Sequence, residues 1–105
     1  GIFWKAADTL VIAAGGAEVC YFTDSNVRAI DGSIGAPGYA FKDDTNTGMY
    51  RPAADDLRLA VGGADRLVLN GAKPAVTGSR GGNAALASAL STLAGLGLIT
   101  DSSTA

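Results

Sequence analysis

The reactive groups this sequence offers in number are carboxylates: Asp8, the adjacent pair Asp55 and Asp56, and an acidic run of Asp43, Asp44 and Asn46 that ends on Gly48. Two carboxyl groups about 5 to 9 Å apart across a sugar-binding cleft can hydrolyse a glycosidic bond. Asp55 and Asp56 are candidates for such a pair, with Asp8 standing where Asp55 stands in an earlier copy of the same motif. Neighbouring residues of a strand point to opposite faces, so the two make a poor pair within one chain. The Ala-Ala-Asp to which Asp8 and Asp55 belong reads more readily as a turn. The acidic run places oxygen ligands ahead of a glycine, as a calcium loop does, but nothing follows that resembles the bidentate Glu of a full EF-hand loop. Asp and Asn bonding their own backbone explain that composition as well. With no histidine, the commonest general base and transition-metal ligand is missing. The single cysteine, Cys20, lies in an apolar strand pattern and reads as a small buried hydrophobe. The sequence thus assigns no catalytic, cofactor-binding or metal-ligating residue.

These acids are carried by a repeat. Residues 1–22 (GIFWKAADTLVIAAGGAEVCYF) and 48–69 (GMYRPAADDLRLAVGGADRLVL) align without a gap at an offset of 47, with nine identical positions. Such copies point to supersecondary units that stack and cannot bury their apolar faces alone. The first copy has no counterpart of the segment before Gly48 and there is no initiator Met, so the chain is expected to start inside a longer array.

Within each copy two alternating runs flank Gly-Gly-Ala, a hairpin signal. A three-residue loop at Gly62, Gly63 and Ala64 would set Leu59 against Leu67 and Leu57 against Leu69. A two-residue loop would oppose Leu59 and Arg66 and mix the faces. The same register in the first copy gathers Leu10, Ile12, Cys20 and Phe22 on one face. Residues 23–47 are rich in turn formers, with short extended pieces at 27–30 and 39–41. Asn83 is placed to cap a helix starting at Ala84, along which Leu86, Leu90 and Leu93 recur at the seam spacing of a coiled coil. Gly95 and Gly97 are expected to end it after about three turns.

Composition restricts function further. Gly contributes 15 residues, whereas there are one Trp, three Phe and three Tyr, so the chain has little bulk with which to build a core. At about 25 cal/mol per Å2 of buried apolar surface, such a chain gains little per residue. The missing burial is expected from neighbouring chains. A net charge of −2 without any Lys or Arg cluster lacks the footprint of a nucleic-acid binder. The apolar run 84–99 is shorter than the ~20 residues of a membrane span and carries Ser88, Ser91 and Thr92.

The run APGYAFKDDTNTGMYRPAAD (36–55) resembles the repeat of bacteriophage tail fibre and tail spike proteins, where it often precedes an endosialidase-type intramolecular chaperone. The closing segment 78–102 resembles the C-terminal ends of phage structural proteins. This resemblance implies a mainly β protein: repeated β-hairpins forming an intertwined or stacked homotrimeric fibre, like a β-prism or triple-stranded β-helix, closed by a short C-terminal α-helix. The segments are 1–30, 31–83 and 84–105. The expected trimer core is Leu10, Ile12, Leu57, Leu59, Leu67, Leu69, Leu86, Leu90 and Leu93. Trp4, Tyr39 and Tyr50 are the candidate receptor contacts. The implied setting is the virion, with assembly in the host cytoplasm. The implied partners are two further copies, the rest of the fibre or other virion proteins, and a host surface glycan or protein, without nucleic acid or membrane insertion. Two alternatives are a head-fibre or capsid decoration protein without a receptor role, and a polysaccharide depolymerase with a carboxylate site between chains.

Overall fold

The computed structural model describes residues 1–105, which divide into two compact units, residues 1–69 and 70–105. The repeat governs the first unit. Its first sheet is a four-stranded antiparallel meander of β1 (Ile2–Ala6), β2 (Thr9–Ala14), β3 (Ala17–Thr23) and β4 (Val27–Ala29). A two-residue β-ribbon, β5 (Gly32–Ser33) with β6 (Ala36–Pro37), follows and packs on the second sheet. That sheet has the order β10-β9-β8-β7, from β7 (Tyr39–Phe41), β8 (Asp44–Ala53), β9 (Asp56–Val61) and β10 (Ala64–Asn70). Strands β9 and β10 repeat β2 and β3 residue for residue at the offset of 47. The repeated unit is therefore a three-stranded meander rather than the two-stranded hairpin read from the sequence.

The turns explain both the agreement and the error. Ala7-Asp8 and Ala54-Asp55 link the first two strands of each copy, with Asp8 at φ 60° and Asp55 at φ 58°. Asp tolerates this left-handed conformation better than most side chains. The Gly-Gly turns are two-residue loops, with Gly15 and Gly16 at φ 59° and 80° and Gly62 and Gly63 at 60° and 77°, the type I′ geometry that suits strand twist. The expected three-residue loop is thus corrected. The expected pairing Leu10↔Phe22 and Ile12↔Cys20 is nevertheless present, because Val19 forms a bulge between Ala13↔Glu18 and Ile12↔Cys20.

In the second unit β11 (Ala75–Ser79) pairs in parallel with β12 (Thr100–Thr104), and α1 (Ala84–Gly95) forms the crossover that a parallel pair requires. The Asn83 side chain accepts a 2.9 Å hydrogen bond from the Leu86 amide, the expected cap. The helix ends as expected, with Gly97 at φ 79° just beyond it. Strand β12 was not foreseen. Hydrogen bonds from the Thr100 amide to Pro74 and from the Arg80 amide to Thr104, both 2.8 Å, fasten its two ends. No helix is long and apolar enough to cross a membrane.

The core is small. Val11, Tyr50, Ala60 and Leu90 are the only buried apolar or aromatic side chains apart from Pro37. In the first sheet burial falls on the Val11 face, opposite the face of Leu10 and Ile12. Folded monomers of 10.4 kDa expose about 5400 Å2 by the usual size scaling, whereas this chain exposes 7100 Å2.

Candidate functional site

On the Val11 face each copy builds a polar cluster around the acid that follows Gly-Gly-Ala, Glu18 in the first and Asp65 in the second. The Val19 bulge makes this possible in the first copy. It leaves Glu18 on the same face as Tyr21, whereas unbroken alternation would send it to the face of Cys20 and Phe22. Glu18 accepts a hydrogen bond from the Tyr21 hydroxyl and a 2.8 Å ion pair from Lys5, whose ammonium lies 5.4 Å from the Tyr21 ring centre. In the second copy Asp65 accepts from the Tyr50 hydroxyl and, at 2.7 Å, from Arg58. Arg58 also forks onto Asp56 at 2.9 and 3.0 Å. The hydroxyl and the cation come from different strands in the two copies, yet they converge on the same carboxylate position.

This arrangement fixes the electrostatics. Lys5, then Tyr21, hold the Glu18 carboxyl below its ordinary range, while Tyr50 and Arg58 do the same for Asp65. Tyr50 and Tyr21 are pushed above the usual phenol value by donating to these carboxylates. A carboxylate so held is fully ionised at neutral pH and makes a poor general acid. Arg58 is thus satisfied within one chain by Asp56 and Asp65. Arg51 likewise forks onto Asp31 at 3.0 Å twice and binds its carbonyl through the backbone at 2.9 Å.

Asp55 lies in its turn and Asp56 is held by Arg58, so the two do not face each other across a cleft. The acidic run is also accounted for locally. Lys42 and Asp43 form the exposed turn between β7 and β8. Asn46 and Thr47 receive the Gly63 and Gly62 amides at 2.9 and 3.0 Å, pinning the second Gly-Gly turn onto β8. Nowhere do three carboxylate or cysteine side chains converge as a cation cage requires.

The opposite face of the first sheet is apolar across all four strands. One row runs Ile2, Ile12, Cys20, Ala29 and the next Trp4, Leu10, Phe22, Val27. Ile2 is 69 % and Trp4 71 % exposed, and Ile12, Phe22 and Val27 are exposed as well. Cys20 is half-buried there, not buried as the sequence reading expected. The second sheet repeats the pattern with Tyr39, Met49 and Leu59 in one row. Phe41 and Val61 extend this row into an open groove of about 360 Å3. Leu57, Leu67 and Leu69 are exposed too.

Of the eight leucines and one isoleucine expected in a shared core, Leu90 is buried inside its own unit and Leu10 is half-buried, while the other seven are exposed. Among the expected receptor contacts, Trp4 and Tyr39 are exposed, whereas Tyr50 is only 5 % exposed. Tyr50 is corrected from surface platform to core residue: its hydroxyl donates to Asp65, whereas its repeat equivalent Phe3 stays exposed. Trp4 and Leu10 prove to be direct neighbours in one row, so the two roles read for them fall on a single face.

A second opening, of about 260 Å3, lies at the end of that row and is lined by Trp4, Asp8, Leu10, Phe22, Thr23 and Asp24. Sequence reading missed Asp24 as a companion of Trp4. The signal lay in the meander itself, which sets the β1–β2 and β3–β4 turns side by side.

Comparison with protein-family models, with curated proteins and with solved structures gave no match for this chain. Function is therefore argued from the chain's own surface.

Proposed function

We propose that this chain is a structural segment of a homotrimeric virion fibre, a phage tail fibre or spike, that takes part in attachment to the host surface. The observation that carries the reading is the pair of continuous, exposed apolar sheet faces set against a core of so few side chains. Exposed apolar patches of this extent mark association surfaces. The surface in excess of a compact monomer, 7100 against about 5400 Å2, is about what a chain loses when it contributes about 800 Å2 to each of two interfaces. Two interfaces per chain are what a closed ring of three provides. The finer fibre architecture, of β-prism or triple-stranded β-helix type, rests on the resemblance of residues 36–55 and 78–102 to phage fibre proteins.

Its work is mechanical and adhesive. The carboxylates that glycosidase chemistry would need are taken up in turns and ion pairs, which disfavours a depolymerase. Antibodies against residues 1–105 test the assignment on phage particles whose genome encodes the chain. Labelling of an appendage together with blocked adsorption supports it. Labelling without any effect on adsorption removes the attachment role, and no labelling removes the virion assignment.

A further inference from the structure

We propose that the free edge of β1 takes a strand of the β7 kind, an extended Gly-Tyr-Ala-Phe segment contributed by a further repeat. Strand β1 is the outer strand of the first sheet, and all five of its residues are exposed. The Gly1 amino group donates to the Ala13 carbonyl and the Ala13 amide to the Gly1 carbonyl, both at 2.7 Å. Alternation along an antiparallel strand then turns the N–H and C=O groups of Ile2 and Trp4 away from β2, toward the open side. Such a row of unpaired groups is a template for strand addition.

The second copy shows what fits there. At the offset of 47, Gly1, Ile2, Phe3 and Trp4 correspond to Gly48, Met49, Tyr50 and Arg51, and Ala13 to Ala60. In that copy residues 31–41 close the same edge: Tyr39 pairs with Met49, Ala40 with Gly48, and the Arg51 amide donates to the Asp31 carbonyl at 2.9 Å. Met49 is half-buried and Tyr50 buried, whereas Ile2 is 69 % and Phe3 42 % exposed. Gly48 is not in the left-handed region, so what requires a glycine there is the close crossing of β7, whose Tyr39 carbonyl would collide with a Cβ. At Gly1 nothing lies within 4 Å of a Cβ, yet the residue is again glycine. The first copy thus keeps the feature that admits a crossing strand. Trp4 in the place of Arg51 removes the cation that Asp31 binds, so the fitting segment carries an apolar side chain in the place of Asp31. The site is the edge of the sheet and not its apolar face, so the inference rests on the repeat and is independent of the fibre reading.

The full chain is extended by placing a second copy of residues 31–47, with Asp31→Leu in that added copy, directly ahead of Gly1, the order that residues 31–47 and Gly48 already have. A second chain carries the same added residues in scrambled order. Hydrogen exchange is followed at the Ile2 and Trp4 amides, and the emission of Trp4, the only tryptophan, reports the same edge. The ordered extension should slow exchange at both amides at least tenfold relative to the scrambled one and shift Trp4 emission to the blue. Adding Gly1→Ala should return both readouts to those of the scrambled chain. It should leave the circular dichroism of residues 1–105 unchanged, since nothing in them meets that Cβ. Equal exchange in the ordered and scrambled chains, or slow exchange that survives Gly1→Ala, would overturn the proposal. So would a lower sedimentation mass on Gly1→Ala in the unextended chain, which would give the edge to a second copy of this chain.

Discussion

Replacing Gly48 by alanine tests whether the second sheet is held as described. A Cβ at this position would lie 1.7 Å from the Tyr39 carbonyl oxygen, 2.8 Å from its carbon and 3.0 Å from the Ala40 Cα, all backbone atoms of β7. Ordinary carbon–oxygen contacts are near 3.3 Å, so β7 must withdraw from β8 by roughly 1.6 Å. That displacement breaks hydrogen bonds, which fail well before such a stretch. Opening the pairs Tyr39↔Met49 and Ala40↔Gly48 forfeits about two bonds at about 1 kcal/mol each, plus the packing of Tyr39 and Phe41. The expected cost is about 2–4 kcal/mol. For a chain of this size that lowers the thermal midpoint by at least about 10 °C. Gly35→Ala is the matched control, since nothing lies within 4 Å of a Cβ there and its φ is not in the left-handed region. It should be neutral or stabilise by up to about 1 kcal/mol. Circular dichroism melts give the midpoints, and amide exchange should show Tyr39 to Phe41 losing protection in Gly48→Ala alone. If Gly48→Ala melts within about 2 °C of Gly35→Ala, the close crossing of β7 and β8 is wrong.

Val11, at 0 % exposure, should lose about 2 kcal/mol on replacement by alanine, from two methyl-sized groups and the cavity they leave, measured by the urea midpoint. Acid should destabilise the fold along a defined limb. Glu18, Asp31, Asp65 and Asp101 are held below their ordinary values by Lys5, Arg51, Tyr50 and Ser103 respectively. A depressed folded pKa contributes stability that is full above the unfolded values of 3.8 to 4.5 and is lost as pH falls through the folded values. Thermal midpoints should be level from neutral pH down to about 5 and fall below about 4, with a shallower fall in Asp65→Asn. An unchanged acid limb in that variant would contradict the cluster. Ile12→Lys, on the exposed face, should leave the circular dichroism spectrum unchanged while lowering the sedimentation mass. A preserved mass would remove that face from the interface.

Much of the architecture was legible because local rules and the repeat agreed. The Ala-Ala-Asp and Gly-Gly turns, the Asn83 cap and the glycine stop all lie in sequence windows where one backbone conformation is strongly preferred. The bulge at Val19 was not legible as such. A three-residue loop and a two-residue loop with a bulge give the same pairing of Leu10 with Phe22, so the side-chain argument could not separate them. The third strand of the meander was missed because its sequence in the first copy, around Phe3 and Lys5, alternates poorly, and its edge is set by pairing with β2. Strand β12 is Ser and Thr rich and gains its place from a parallel partner twenty-odd residues away, which no local pattern reports. The burial of Tyr50 depended on a hydroxyl partner, Asp65, fifteen residues along the chain. Its repeat equivalent, Phe3, lacks the hydroxyl and is exposed, so the repeat did not report this burial. The face of Leu10 and Ile12 was read correctly as one surface, but the small core lies on the other side of the sheet.

The central claim is that these apolar faces are covered by further copies of the same chain. Sedimentation equilibrium at tens of micromolar protein measures this directly. The account predicts a mass three times the 10.4 kDa of one chain, persisting on dilution into the low micromolar range. A mass of one chain throughout that range, with the circular dichroism of a folded β protein, would contradict it.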